Sequence, residues 1–280
     1  IAAVAESARN VSCVGALPVA ITNNLNFPSP ETEIGFWQLS SSCDGIAMAC
    51  EILETPVTGG NVSLYNESIN DDGIVKPIHP TPVIGMVGIL DNINNAVTSG
   101  WQNINDEIWI IGSKSSELTL GATSYLEYFH GAVTGRPPST NLVDEKLCQK
   151  FIRDGISNKQ ILSSHDVSDG GIAISLAESC ITSGKGASIT LTGDERKDKL
   201  LFGEGGSRII FSISHLNKNL WLNFVSEQSK SFTDTIYVNK IGVVSKDVLK
   251  IQYLDDNLCD LKVSTLADKF NNGLCENFKL

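Results

Sequence analysis

Apolar and polar positions recur along the chain with two different periods, which predict a mixed series of helices and strands. Apolar residues three and four positions apart recur over residues 1–14 and over Glu33–Leu53, the spacing of one helix face. Short apolar runs predict strands at residues 18–22, 56–58 and 81–90, the last of them of the buried kind. Helices and strands that alternate in this way indicate an α/β or α+β fold class.

The same mixture continues after a polar, Asn-rich stretch at residues 91–100, where we place a domain boundary. The predicted domains are residues 1–91 and residues 101–280. The elements predicted in the second domain are strands at residues 107–111, 161–164, 187–191, 208–213, 235–244 and 249–253, and helices at residues 124–129, 141–154, 172–182 and 217–227.

The helix predicted at Glu33–Leu53 carries an apolar stripe that includes two cysteines. The stripe consists of Phe36, Leu39, Cys43, Ile46, Cys50 and Leu53. Cysteine in such a stripe acts as a small apolar residue of the core. The seven cysteines are scattered and form no C-x-x-C pair, so the sequence predicts neither a zinc site nor a disulfide framework.

Composition and charge narrow the class of protein. A chain of 280 residues with 41% hydrophobic content can bury a sizeable core. Its net charge of −11 argues against non-specific binding to nucleic acid. We see no signal peptide and no apolar run of about 18 residues, so we expect a cytoplasmic protein without a membrane span. Because the chain opens without Met inside a helical pattern, we expect its beginning to be truncated.

The segment TGGNVSLYNE, beginning at Thr58, has the composition of a ligand-binding turn after a strand. Paired glycines let main chain approach a bulky anion because no Cβ intrudes. The carbonyl oxygen of Asn61 is an acceptable ligand for Mg²⁺ whose charge phosphates already balance, and Ser63 offers a hydroxyl to a substrate oxygen. The same letters also fit an ordinary glycine turn in which Asn and Ser satisfy local backbone.

Three further segments carry polar residues near predicted element ends. In SHDVSDGG, residues 164–171, Asp166, Ser168 and Asp169 can cap the following helix, or form a ligand site if a divalent cation lies between the carboxylates and a phosphate. His165 fits a hydrogen-bonded structural histidine better than a general base. FGEGGSR, residues 202–208, adds a glycine turn with one Glu and one Arg. TNNLNFPSP, residues 22–30, can surround a base or ribose, or form a turn stabilised by Asn and Pro. No P-loop, G-x-G-x-x-G, H-E-x-x-H or G-x-S-x-G motif is present.

Taken in order, these segments resemble one known family. The stretches PVAITNNLNFPSPE, TPVTGGNVSLYNE, PTPVIGMVGIL, SSHDVSDGGIAISLAE and LFGEGGSR look like successive signature stretches of phosphoribosylformylglycinamidine synthase, in the C-terminal half of that enzyme. TGGNVSLYNE is the most specific of them, whereas DVSDGG and GE-x-x-SR are shared by related ATP-binding synthases.

The resemblance implies an aminoimidazole-ribonucleotide-synthase-like fold in which a smaller, barrel-forming α/β domain precedes a larger α/β domain. It also implies a ligase that uses ATP and glutamine-derived ammonia to convert formylglycinamide ribonucleotide into the amidine in purine biosynthesis. The partners it implies are an N-terminal half, a glutaminase and a small adaptor subunit. The isolated chain is expected to be inactive.

Matching motifs transfer four residues to this sequence. Asn23 and Gly60 fall at ATP contacts, Asn61 at a magnesium ligand and Ser63 at a substrate contact. Asn23 stands where the family usually has aspartate. This difference removes the negative charge and keeps the ability to form hydrogen bonds. The family's catalytic histidine belongs to its other half and none of the four histidines here matches it, so no catalytic residue is transferred. The open alternatives are another synthase or kinase of the same superfamily and a non-catalytic half that binds nucleotide or acts as a scaffold.

Overall fold

The computed structural model describes residues 1–113 and 118–278, with side chains to residue 273. The chain divides into two compact units. The first comprises Ile1–Ser12 and Ala16–Asp91, and the second comprises Cys13–Gly15 and the chain from Asn92 onward. The predicted domain bounds, residues 1–91 and 101–280, remain predictions.

The first unit is built around a three-stranded sheet. Its elements in chain order are α1 (Ala2–Cys13), β1 (Leu17–Asn26), α2 (Glu33–Leu53), β2 (Val57–Ser63), β3 (Glu67–Ile69), β4 (Val75–Pro77) and β5 (Thr81–Ile89). The sheet has the order β2-β1-β5, in which β1 is parallel to β2 and antiparallel to β5, and β3 pairs with β4 as a separate hairpin.

Strands β1 and β2 run further than the sequence predicts. The stretch predicted as a turn after residue 22 continues the strand to Asn26, and the predicted Gly-Gly-Asn turn is also strand, up to Ser63. Asn and Gly have low strand propensity, which is why local pattern ended both strands early. The parallel register between β1 and β2, which pairs Asn23 with Gly60 and Asn26 with Ser63, holds these residues extended.

One face of the first sheet is uncovered within this unit. Val83, Val87 and Ile89 of β5 are 51–57% exposed. The prediction that residues 81–90 form a strand is confirmed, but the expectation that the strand is buried is wrong for this unit. An apolar sheet face left open in this way fits the barrel-forming domain that the resemblance implies.

Helix α2 begins at the predicted residue and buries only part of its predicted stripe. Its N-cap is Thr32, whose Oγ1 accepts a hydrogen bond from Gly35 N at 3.0 Å. The C-terminal members of the stripe, Ile46, Cys50 and Leu53, are buried. The N-terminal members are not: Phe36 and Cys43 are exposed and Leu39 is half-buried. The predicted helix is confirmed, but the N-terminal part of its predicted apolar stripe is not buried in this unit.

The second unit is a larger mixed sheet with helices. Its elements are β6 (Glu107–Ser113), α3 (Ser124–His130), α4 (Leu142–Ser157), β7 (Ile161–Asp166), α5 (Gly171–Ser183), β8 (Gly186–Leu191), α6 (Lys197–Phe202), β9 (Ile209–Ile213), α7 (Lys218–Gln228), β10 (Ile236–Ser245), β11 (Val248–Tyr253), β12 (Asp256–Lys262) and α8 (Val263–Phe278). The seven strands have the order β12-β11-β8-β10-β6-β9-β7, antiparallel except for the parallel pair β8 and β11.

Two hydrophobic cores lie on opposite faces of this sheet. Strand β6 shows the alternation directly: Ile108 and Ile110 belong to one core, and Trp109 and Ile111 to the other. Helix α5 contributes to the first core, and helices α4 and α7 contribute to the second. Burial on both faces explains why β6 reads as a continuous apolar run.

The elements at the C-terminal end were absent from the sequence prediction, as were the β3–β4 hairpin and α6. Strand β12 and helix α8 follow Tyr253, where the predicted elements stop. Every strand and helix that was predicted has a counterpart within a few residues, so the α/β class is confirmed. Across the described ranges, no helix combines the length and apolar character needed to cross a bilayer.

Candidate functional site

Parallel pairing of β1 with β2 brings the four predicted site residues into one patch of the first unit. Asn23 is the register partner of Gly60, Asn24 of Asn61, and Asn26 of Ser63. Sequence alone placed these residues in two turns more than thirty positions apart. The sheet, rather than a loop, positions them.

The two faces of the sheet divide this patch. Successive side chains of a strand lie on opposite faces, and register partners share a face. Asn61 therefore shares a face with Ser63 and with Asn24, whereas Asn23 and Gly60 belong to the opposite face. A ligand held by all four predicted residues would have to reach around the edge strand β2, or meet Gly60 through its main chain.

The Asn23 side chain lies directly over Gly60. A Cβ added to Gly60 would lie 2.1 Å from Asn23 Oδ1 and 2.5 Å from Asn23 O, distances that no side chain can occupy. A Cβ added to the neighbouring Gly59 would meet nothing within 4 Å. Glycine at position 60 is therefore required by the close approach of β1, a structural reason that holds with or without a ligand.

Hydrogen bonds orient the side chain of Asn61. Its Nδ2 donates to Asn24 Oδ1 at 3.1 Å. The structure shows no partner for Asn61 Oδ1 among the described residues. Since an amide has one acceptor and one donor end, using the donor end leaves the oxygen available to a ligand.

Ser63 is held by a second asparagine. Its hydroxyl donates to Asn66 Oδ1 at 3.1 Å, and Asn66 Nδ2 donates to Ser63 O at 2.9 Å and to Phe27 O at 3.1 Å. The serine proton is thus engaged, so in this arrangement Ser63 Oγ is an acceptor for a substrate hydroxyl or amide. The sequence suggested the opposite polarity, a hydroxyl offered to a substrate oxygen.

A magnesium ion fits this patch only with ligands from elsewhere. Mg²⁺ commonly binds through one or two protein oxygens together with substrate phosphates and several waters. Asn61 Oδ1 suits one such position. The described part of the chain contains no cluster of three or more His, Cys, Asp or Glu side chains that would make a complete site.

The segment SHDVSDGG has a structural role that differs from the predicted one. Asp166 ends strand β7, and the N-cap of α5 is Gly170 at φ 74° without a side-chain cap. The prediction that Asp166, Ser168 and Asp169 cap this helix is therefore wrong. Instead, Glu204 Oε1 from the FGEGGSR segment accepts a hydrogen bond from Gly170 N at 3.0 Å.

His165 lies between two carboxylates. Its Nδ1 is 3.2 Å from Asp166 Oδ1 and its Nε2 is 3.0 Å from Glu178 Oε2. Burial lowers the pKa of His165, but the hydrogen bonds and charges of Asp166 and Glu178 outweigh burial and raise the pKa to about 9. A charged, doubly paired imidazolium is a structural element, in keeping with the sequence interpretation.

The FGEGGSR segment folds around its arginine. Arg208 is 2% exposed, and it donates from Nη2 to Gly203 O at 2.6 Å and from Nε to Gly205 O at 3.1 Å. Arg208 also lines a cavity of about 610 Å³ in the second unit, together with Tyr237, Asn239 and others. The rest of its lining comes from several strands, from helices α5 and α6 and from the segment after β8, which lie far apart in the sequence.

Sequence reasoning also missed the residues that hold the site. Asn24, Asn66 and Glu178 orient Asn61, Ser63 and His165 respectively. Asn24 belongs to a segment that the sequence singled out, but its partner depends on the β1–β2 register, which local pattern does not reveal.

This fold and these motifs are those of a family of synthase-related proteins. The model of "AIR synthase related protein, N-terminal domain" matches residues 1–102, and that of "AIR synthase related protein, C-terminal domain" matches residues 104–219. The chain therefore belongs to the AIR synthase related family, which confirms the predicted fold.

Within that family the chain is similar to one enzyme subunit. It is 62% identical over 279 residues to the phosphoribosylformylglycinamidine synthase subunit PurL of Prochlorococcus marinus strain MIT 9301, and 47% identical over 283 residues to that of strain SARG. These alignments cover 99% and 98% of this chain, but 36% of each relative. The chain thus spans about a third of the length of the curated relatives, and the resemblance indicated by its motifs is confirmed.

Solved structures share the fold at low sequence identity. PurL of Thermotoga maritima complexed with ATP has a TM-score of 0.65 and 18% identity, covering 94% of this chain and 40% of that one. Hydrogenase maturation protein HypE in complex with ATP has a TM-score of 0.62 and 14% identity, covering 93% of this chain and 78% of that one.

Proposed function

We propose that this chain forms part of an ATP-dependent phosphoribosylformylglycinamidine synthase. In this proposal the whole enzyme acts in the cytoplasm in purine biosynthesis and joins glutamine-derived ammonia to formylglycinamide ribonucleotide, forming a C–N bond. The observation that carries the proposal is the 62% identity to PurL subunits along 99% of the chain. PurL of Thermotoga maritima, which has the same fold, has been solved in complex with ATP, and this supports ATP as a substrate.

The proposed role of β2 is to hold the nucleotide and its cation. Asn61 Oδ1 is proposed as a ligand of Mg²⁺, and Gly60 as a main-chain contact of ATP. Because β2 is an edge strand, alternate main-chain groups along it have no strand partner in this unit. Magnesium, when bound, neutralises charge on the phosphate oxygens of ATP.

Charge favours an amide at position 61. ATP phosphates already balance the ion, so a neutral carbonyl oxygen completes the coordination without excess negative charge. Asn23, which is proposed as an ATP contact, also carries a neutral amide, at a position where the family usually has aspartate. Asn23 can hydrogen-bond a base or ribose but contributes no charge to a cation.

Ser63 is proposed as a substrate contact on the same face as Asn61. Its Oγ accepts while its proton is held by Asn66. A hydroxyl or amide N–H of formylglycinamide ribonucleotide can donate to it. With Asn61 and Ser63 in these proposed roles, substrate and cation would lie on the same side of the sheet, which would bring the substrate close to the phosphates that the cation binds.

Other parts of the chemistry are proposed to come from outside this chain. The remaining acidic magnesium ligands and the catalytic histidine belong, on the family resemblance, to an N-terminal half, and ammonia comes from a glutaminase with a small adaptor subunit. We therefore expect no turnover from the isolated chain.

A rival function is nucleotide binding without this reaction. HypE in complex with ATP has the same fold and is named for hydrogenase maturation, so the fold alone does not select the substrate. Titration of ATP into the isolated chain with and without Mg²⁺ separates the cases. Binding that does not depend on magnesium would favour a structural nucleotide.

The proposed function is tested by replacing Asn61 in a protein of the relatives' full length that carries this sequence. Asn61→Ala is expected to lower turnover and magnesium affinity roughly 10- to 100-fold. The matched control is Asn257→Ala, which removes an exposed asparagine from edge strand β12 of the other unit. Unchanged kinetics of Asn61→Ala at limiting magnesium would refute the assignment.

A further inference from the structure

The amide of Asn61 has two ends of opposite polarity, and only one of them can bind a cation. A half-turn about its terminal bond exchanges the carbonyl oxygen for an NH₂ group, whose hydrogens repel Mg²⁺. On an exposed edge strand this rotation would be unhindered. In the structure, Asn61 Nδ2 donates to Asn24 Oδ1 at 3.1 Å, which selects one orientation.

We propose that Asn24 is a positioning residue for the cation: its side-chain oxygen holds the NH₂ end of Asn61 and thereby presents the Asn61 oxygen to the metal. This inference rests on the proposed role of Asn61. Asn24 itself touches neither the cation nor the nucleotide in this scheme, and acts through Asn61 alone.

The place of Asn24 in the sheet suits this role. It lies on β1, the central strand, and is paired on one side with Asn61 of β2 and on the other with Val83 of β5. Its backbone is therefore fixed from both sides, whereas Asn61 lies on an edge strand. Because Asn24 is fixed, the Asn61 side chain that it holds loses little further conformational freedom when the metal binds. This preorganisation favours metal binding.

A binding measurement separates positioning from catalysis. The probe is Mn²⁺ with a non-hydrolysable ATP analogue, and free Mn²⁺ is followed by electron paramagnetic resonance in the full-length protein. Asn24→Ala is expected to weaken Mn²⁺ binding about fivefold, the value of one hydrogen bond. Asn24→Asp, which can only accept, is expected to bind Mn²⁺ at least as well as the unsubstituted protein.

The negative charge introduced by Asn24→Asp needs its own control, because its carboxylate can attract the cation without orienting Asn61. Thr22→Asp supplies it: Thr22 lies two residues away on β1, on the same face, and is the register partner of Gly59 rather than Asn61. Thr22→Asp is expected to tighten Mn²⁺ binding less than Asn24→Asp. Equal effects of the two variants would overturn the positioning role.

The double variant Asn24→Ala with Asn61→Ala identifies which idea fails. If Asn24 acts through Asn61, the double variant binds Mn²⁺ no more weakly than Asn61→Ala alone. Additive losses would contradict the inference while leaving the metal role of Asn61 intact. If Asn61→Ala itself leaves Mn²⁺ binding unchanged, the proposed metal role fails, and the positioning role fails with it.

Discussion

Replacement of His165 by glutamine is expected to remove a pH-dependent part of the stability of the second unit. The imidazole lies between Asp166 and Glu178, and its side chain is 20% exposed. Glutamine retains a polar side chain of similar reach and cannot take up a proton. The variant therefore isolates the contribution of the charge.

The magnitude follows from the raised pKa. A folded-state pKa of about 9 against the ordinary value of 6.5 corresponds to about 3 kcal/mol of stability. Glu178 is partly exposed, so screening by solvent lowers this to about 2 kcal/mol. Because the folded-state pKa is raised, the stabilisation is complete below pH 6.5, declines as the pH rises, and is lost above about pH 9.

The assay is urea unfolding of the chain and of His165→Gln at about pH 6 and about pH 10. The difference in the free energy of unfolding between the two proteins is expected to shrink by about 2 kcal/mol from the lower to the higher pH. His79→Gln, a substitution of an exposed histidine, is the control and should show no such change. A difference that stays constant across this range would refute the reasoning.

Two further substitutions test the geometry of the site and of the α5 N-terminus. Gly60→Ala is expected to lower the free energy of unfolding of the first unit by about 1 to 3 kcal/mol, because its Cβ would meet Asn23. Gly59→Ala is the control and should change that free energy by less than about 0.5 kcal/mol. Equal effects of the two substitutions in denaturant unfolding would contradict the close approach of Asn23 to Gly60. Glu204→Ala is expected to lower the free energy of unfolding by about 1 to 2 kcal/mol because it removes the acceptor of Gly170 N, and Glu204→Gln should recover most of that loss. The readout is amide hydrogen exchange at the start of α5. Unaltered protection in Glu204→Ala would argue against this hydrogen bond.

Hydrophobic periodicity was sufficient for most elements of this fold and failed where tertiary pairing overrides local preference. Strand β6 and helix α4 were predicted because their apolar spacing reflects burial. The ends of β1 and β2 were missed because their Asn and Gly residues favour turns, and only the pairing of the two strands keeps them extended.

The candidate site was predictable in its residues and not in its geometry. The motif TGGNVSLYNE and its family resemblance selected Gly60, Asn61 and Ser63. Their division between two faces of a sheet follows from strand β2, which local pattern ended at residue 58. The contact from Asn24 to Asn61 depends on the register of two strands, and register is set by pairing across the sheet.

Capping at α5 shows a second limit of local rules. Asp and Ser before a helix usually predict a side-chain cap. Here the N-cap is Gly170, a glycine in the left-handed region, and Glu204, more than thirty residues later, accepts a hydrogen bond from the amide of that glycine. A long-range partner of this kind leaves no periodic signal.

The most direct test is a crystal structure of a protein of the relatives' full length, carrying this sequence, with Mn²⁺ and a non-hydrolysable ATP analogue. Anomalous scattering would locate the cation without reference to the surrounding density. We expect Mn²⁺ about 2.1 to 2.2 Å from Asn61 Oδ1, with the analogue's phosphates beside Gly60 and the Asn24–Asn61 hydrogen bond retained. A cation and nucleotide bound away from β2 would contradict the account.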